Sequence, residues 1–394
     1  MEPTQSQVFD LNIFLWKIFG MWHHETSTIY YKYYCVTFQM LYSVTYTFLF
    51  TLSLMFTPND LELIISQCMF YFTQLAGVTK IAMIILRKKY IFEAFHILDC
   101  IEFQGDDVET RKIVNENKIF YKKYWKACFV CYNSGGFFIL CLPLINYVVR
   151  RTELDLPLCQ YYFLSDHTRE KYHSGLFFYQ FTGLVVIILS NISTDTFIIG
   201  LLMMAITQFR VLNWKLTNLN FSSLDEELVT MVDKEVLFVE KLKKCLVHYD
   251  LLLKYCNIIQ DVTSYSIFAQ FGTAAVTLCV SMCTFLRPMT NNDFMTSVTY
   301  MTSMAIEVFL PAYYGAELTH ESEKIVMAAY SSDWIPRWKS FKRSLLLVME
   351  RAKRPVVITG LKMFTLSLET FAAIIKMAYS IFTLLKNAQN QNEN

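Results

Sequence analysis

The chain alternates long apolar runs with charged connections, and the runs have the length of membrane spans rather than of strands or soluble helices. A bilayer core needs about 20 apolar residues per helix, and seven segments meet that measure: 35–56, 64–86, 127–149, 176–207, 264–285, 294–314 and a last run from about 359 to 386. The first and third carry no charge, whereas the second holds Lys80, the fourth Asp195, the sixth Glu307 and the last Glu369 and Lys376. These spacings predict an all-α membrane protein with seven transmembrane helices.

The connections orient it. Basic residues resist translocation, and the segments 1–34, 87–126, 208–263 and 315–358 together hold 26 Lys and Arg against 6 in the remaining connections and the end of the chain. The amino terminus is therefore expected in the cytoplasm and the short tail, 387–394, outside; Arg150 and Arg151 beside the third span speak against this. Within 208–263, Leu228, Val232, Val239, Leu242, Leu246 and Leu253 recur at helical spacing among charges. Such helices either continue the spans into a cytoplasmic bundle or lie on the inner leaflet.

Composition fits this picture: 54% of residues are hydrophobic and 18% charged, against roughly 25% charged in soluble domains. The net charge of +1 offers no field for nucleic acid. Eleven cysteines lack zinc spacing, and the CFVC at 128–131 reads as two buried thiols on a helix. Cys159 falls in the one long external connection. No basic start and cleavage site marks a removable signal peptide. The sequons at Asn191 and Asn220 fall in a span and an internal loop. No catalytic motif, cofactor fingerprint or histidine ligand spacing is present, so an enzyme is not expected.

Ionisable groups inside spans mark functional candidates. Lys80 and Asp195 both lie about 24 to 29 Å below their external ends, at 1.5 Å per residue. They either pair or join a polar cluster, or each snorkels to the inner interface. Glu307, nearer mid-depth, must face protein or water. In the last run Glu369, Lys376, Ser380, Thr383 and Asn387, with Lys362 and Thr365 upstream, share a stripe about 60° wide on a helix. The opposite side carries Phe371, Ile374, Ala378 and Phe382. An unpaired polar line in hydrocarbon costs several kcal/mol. The stripe therefore faces either its own bundle or water, and a water-filled path needs several subunits around one axis.

"YYGAELTHESEKIVMAAYSSDW" (313–334) and "FKRSLLLVMERAKRPVVITGLKMFTLSLETFAAIIKMAYSIFTLL" (341–385) resemble the end of the insect odorant receptors, a family of odorant-gated cation channels with an internal amino terminus. Gly315, Glu317, Ser322, Tyr330, Trp334 and Pro355 stand at the family's spacing. The related gustatory receptors typically end in a TY followed by a QF pair, absent here. The short second cytoplasmic loop resembles that of the ligand-tuning subunits rather than the shared co-receptor, which implies a heterotetramer with that co-receptor in dendrites of olfactory sensory neurons. The resemblance further implies that 359–386 is the pore-lining helix, with Leu384 at the gate and Asn387 one turn beyond. Residues 315–358 would anchor the subunits. A pocket for a small hydrophobic volatile would lie in the outer half of 35–314, at the depth of Tyr71, Phe72, Phe137, Phe138, Phe181, Ile188, Tyr300, Met301 and Met304. Lys376, where the co-receptor has a small residue, is a departure that disfavours four copies around one axis. A seven-span G-protein-coupled chemoreceptor would need an external amino terminus and typically carries DRY and NPxxY, and neither string occurs. A solute transporter could use Lys80, Asp195 and Glu307 as a relay, but shows itself by repeats that are absent.

Overall fold

The computed structural model describes residues 4–24, 26–150, 156–219, 231–286 and 291–392. Side chains at 61–62, 134–150, 231–234, 291–293, 296, 389–390 and 392 are not described. Phe137, Phe138, Arg150 and Val232 thus have no side-chain account, and Arg151, Asn220 and Leu228 lie outside the described residues.

The chain is helical almost throughout. α1 (Asp10–Ile18) precedes α2 (Ile29–Gln39), a π-helical stretch Met40–Thr45 and α3 (Tyr46–Met55), which run on as one span. α4 (Leu61–Leu86), α5 (Lys88–Leu98), the single turn α6 (Ile101–Gln104), α7 (Val108–Arg150), the short α8 (Asp166–Lys171) and α9 (His173–Thr217) follow. α10 (Met231–Thr284), α11 (Asn291–Tyr330), α12 (Lys339–Ala352) and α13 (Leu368–Asn392) complete the set, with a hairpin of β1 (Thr359–Gly360) and β2 (Phe364–Thr365) before α13. Among the described residues five stretches are long and apolar enough to cross a membrane: Ile29–Met55, Leu63–Leu86, His173–Thr217, Glu235–Thr284 and Leu368–Ala388. α7 and α11 occupy the third and sixth places, which makes seven.

Four helices of 40 to 54 residues exceed the roughly 20 that a bilayer requires, because they continue below it. With the end bearing 156–164 placed uppermost, the lower halves of α7, α9, α10 and α11 pack with α5 and α12 around Phe103, Phe209, Leu212, Tyr255 and Ile325. Helices in the connections thus form a bundle rather than lying flat on a membrane. The buried seam of α10 is rotated from the expected one: Phe238, Leu242, Cys245, Tyr249, Leu252 and Tyr255 are buried, whereas Val239 is exposed and Leu246 and Leu253 are half-buried. The larger rings gain more from burial than the aliphatic positions do, so they set the phase.

The last run is not one helix from Thr359. Leu361 and Lys362 take positive φ (49° and 60°), and Met363 N–H bonds to Gly360 O at 2.9 Å, closing a tight left-handed turn. The Gln260 side chain pairs with the Thr359 backbone in both directions, at 2.9 and 2.7 Å, and Ser264 Oγ accepts from Leu361 N–H. Phe364 stacks on Phe271 and Phe268. Lys362 and Thr365 therefore leave the polar stripe, and α13 starts at Leu368. At its other end α13 continues to Asn392, so most of the expected tail is helical. On α7 Cys128 is half-buried and Cys131 exposed, because the helix turns this face outward rather than into the bundle.

Candidate functional site

Three features stand out: a buried ionic cluster, a clasped loop over the upper end, and the exposed face of α13.

Lys80 on α4 reaches between α9 and α11. Its Nζ donates to Glu307 Oε1 at 2.6 Å and forms an ion pair with Asp195 Oδ1 at the same distance. The lysine side chain is 1% exposed. Gln270 on α10 adds donors to Glu307 O (3.1 Å) and Oε1 (3.4 Å). One ammonium with two carboxylates thus ties four helices together at one level. Neither Lys80 nor Asp195 snorkels to an interface, and Glu307, the third ionisable residue expected in an intramembrane polar network, lies with them. A charge this deep persists only when paired.

Above the cluster the expected pocket residues divide. Tyr300, Met301 and Met304 gather with Leu278 and Ala378, bringing α10, α11 and α13 together. Tyr300 donates to Met69 O at 2.9 Å and meets the Thr73 hydroxyl at 2.7 Å, and its ring packs on Phe70. Tyr71 turns the other way, to Phe50 and the Thr51 hydroxyl, and touches Phe72. Phe181 stacks on Phe177, and Ile188 is half-buried. Phe70 and Thr73 were missed because adjacent aromatics at 70–72 leave the helix phase ambiguous.

Leu156, Cys159 and Tyr161 fold over Phe50 beside α4 and α9. Gln180, a lone amide at the start of α9, clasps this loop: its Oε1 accepts from Leu158 N–H at 3.0 Å and its Nε2 donates to Cys159 O at 2.7 Å. Burial pushes the Cys159 thiol up to about 11.

Gly315 is required by its neighbour: a Cβ there would stand 2.4 Å from Leu366 O. Glu317 and Glu321, one turn apart, both bind Arg210 of α9, at 2.5 and 3.1 Å. Ser322 accepts from Val356 N–H, just after Pro355, and Thr319 donates to Val356 O. Trp334 donates to Tyr330 O, and both rings are partly open. Positions expected to anchor subunits thus also bind the approach to α13 onto this chain's own bundle. Arg210, Thr319, Gln260 and Gln180 carried no sequence signal beyond being isolated polar residues in helices.

α13 rests on the bundle through Phe371, Ile374, Ile375 and Ala378. Its other face is open: Glu369, Lys376, Ser380 and Asn387 are exposed, Thr383 half-exposed, and Leu384 68% exposed. Ser380, Thr383, Leu384, Asn387 and Gln391 line a shallow cleft along it.

A seven-helix membrane bundle extended below the bilayer, with the polar face of its last helix exposed at the edge, defines a multi-pass membrane protein of the receptor type. Residues 60–379 match the family model described as the seven-transmembrane odorant receptor, and the chain belongs to that family. It is 25% identical to odorant receptor 2a of Drosophila melanogaster over 388 residues, 95% of each chain. To odorant receptor 67c of the same fly it is 30% identical over 145 residues, 37% of this chain and 36% of that one. The fold matches olfactory receptor OR5 of Machilis hrabei, solved in complex with eugenol, at a TM-score of 0.83 with 16% identity, covering 97% of this chain and 98% of that one. A second structure of the same receptor matches at 0.82 with 16% identity, over 96% and 97% of the two chains.

Proposed function

We propose that this odorant receptor subunit is the ligand-tuning partner in a heteromeric cation channel shared with a co-receptor, with its amino terminus in the cytoplasm and α13 lining the pore. One observation carries the reading. α13 turns Lys376, Ser380, Thr383, Leu384 and Asn387 away from its own bundle, in a helix apolar enough to cross the membrane. Lipid cannot cover that face without leaving a lysine and a carboxamide unsolvated. Water along a shared axis solves this, and Leu384, alone apolar in the line, is the constriction that dewets when the helices close.

A small hydrophobic volatile would sit above the ionic cluster, near Tyr300, Met301 and Met304, where α13 contributes Ala378 to the same packing. A receptor of this fold holding eugenol supports a small-molecule ligand. Ligand binding there would bias the position of α13 directly, and the open population grows tenfold for each 1.4 kcal/mol of preference, roughly. Lys376 favours a mixed complex, since four copies would place four ammonium groups around one axis.

The test places single cysteines at 376, 380, 383 and 387 in the chain co-expressed with a co-receptor. Charged thiol reagents should alter the odorant-evoked current and react faster while odorant is present. Failure of all four to react, with normal surface levels, would remove α13 from the pore. Tags at the two termini of intact cells check the orientation separately.

A further inference from the structure

We propose that Lys376 sets the balance between monovalent and divalent cations in the channel, its ammonium lowering the share of the current that calcium carries. This rests on α13 lining the pore as proposed above, and adds to that reading the kind of ion the path disfavours.

The open line along α13 is built of groups that receive cations, with one exception. Ser380 donates its hydroxyl hydrogen to Lys376 O at 2.8 Å, and Thr383 donates to Ser380 O at 2.9 Å. Both hydrogens are thus taken up by the helix backbone, which leaves oxygen lone pairs free to accept. Asn387 adds an amide oxygen and Glu369 a carboxylate, both exposed. Such oxygens can replace part of a cation's hydration shell. In this line Lys376 alone carries the same sign of charge as the permeating ion.

Its surroundings keep that charge on the path. Lys376 is exposed, and among the described residues no carboxylate forms an ion pair with it. Met377 and Tyr379, 45% and 59% exposed, stand about 100° and 60° to either side of it around the helix. These apolar shoulders belong against neighbouring subunits or acyl chains, which leaves the ammonium to the water between them. Leu384 lies eight residues further on, about 12 Å along the axis, so the charge and the constriction are separate features of one path.

A fixed charge discriminates by valence, because its Coulomb energy with an ion is proportional to the charge of that ion. An ammonium passed at a distance of about 6 Å in water holds back a divalent cation about threefold more than a monovalent one. A neutral side chain of similar length has no such preference.

The experiment records from the full-length chain co-expressed with a co-receptor and opened by a fixed mixture of volatile esters, alcohols and phenols that includes eugenol. Reversal potentials give the permeability of calcium relative to sodium. Lys376→Gln should raise this ratio about threefold, or about 0.7 kcal/mol, and Lys376→Arg should leave it unchanged. In Lys376→Cys, a trimethylammonium-ethyl methanethiosulfonate should return the ratio to that of the unmodified chain. A sulfonatoethyl methanethiosulfonate should raise it above that of Lys376→Gln. If both reagents change the size of the current but neither changes the ratio, the inference is overturned and α13 stays in the pore. An equal rise with both would assign the effect to the size of the side chain rather than its charge, and overturn it likewise. If neither reagent reacts at normal surface levels, the pore reading itself fails and takes the inference with it.

Discussion

Replacing Lys80 by Met removes the one positive charge from a cluster that holds two negative ones. Asp195 Oδ1 and Glu307 Oε1 each stand 2.6 Å from Nζ, so both carboxylates lose their counter-ion in a site with almost no solvent access. Removing one partner of a buried pair costs about 3–5 kcal/mol, whereas exchanging the whole ionic set for neutral groups is often near neutral. Against a stability of about 5–15 kcal/mol, the single change takes a large share. Lys80→Met should therefore deplete the receptor from the cell surface and lower its melting midpoint in detergent. Lys80→Met with Asp195→Asn and Glu307→Gln should recover most of both. The single carboxylates are not equivalent. Each change removes one of the two carboxylates on Lys80, but Glu307→Gln also disturbs the Gln270 hydrogen bond to the Glu307 side chain, so Asp195→Asn should be the milder. Surface biotinylation and fluorescence-detected thermal melting of the four variants check this. If Lys80→Met melts like the unmodified chain, or the triple variant is no better than Lys80→Met, the cluster does not hold the four helices together as argued.

Gly315→Ala should cost about 1–3 kcal/mol, the usual range for overpacking, because its Cβ would meet Leu366 O at 2.4 Å; a lowered melting midpoint and loss of odorant current are expected, and an unchanged midpoint would refute the close approach. Cys159, with its thiol pushed up to about 11, is thiolate only to about one part in 10⁴ at pH 7. With the orientation proposed above, maleimide applied outside the cell should label it about two orders of magnitude more slowly than an open cysteine. Gln180→Ala, which removes both hydrogen bonds to the loop, should speed labelling at least tenfold, and an equal rate would show that the loop needs no clasp.

The chain's seven-span plan was legible in its sequence because hydrocarbon permits few solutions. A run of about 20 apolar residues has to cross as a helix, and its rare charges stand out. The polar line at Lys376, Ser380, Thr383 and Asn387 was likewise visible, since residues three and four apart share a helix face. The start of α13 was not, because Thr359 to Ser367 is as apolar as the helix that follows. Only packing against Gln260, Ser264 and Phe271 makes it a hairpin. Pairing was also beyond the sequence. Each helix reports its own periodicity, but not its rotation relative to its neighbours. That relative rotation brings Lys80 to two carboxylates far away in the chain, separates Tyr71 from Tyr300, and turns Phe238 inward in place of Val239. Local patterning therefore determined which segments span and which faces are polar, and tertiary packing decided what each polar group meets. Burial and pairing energies are set by the neighbours, not by the residue alone.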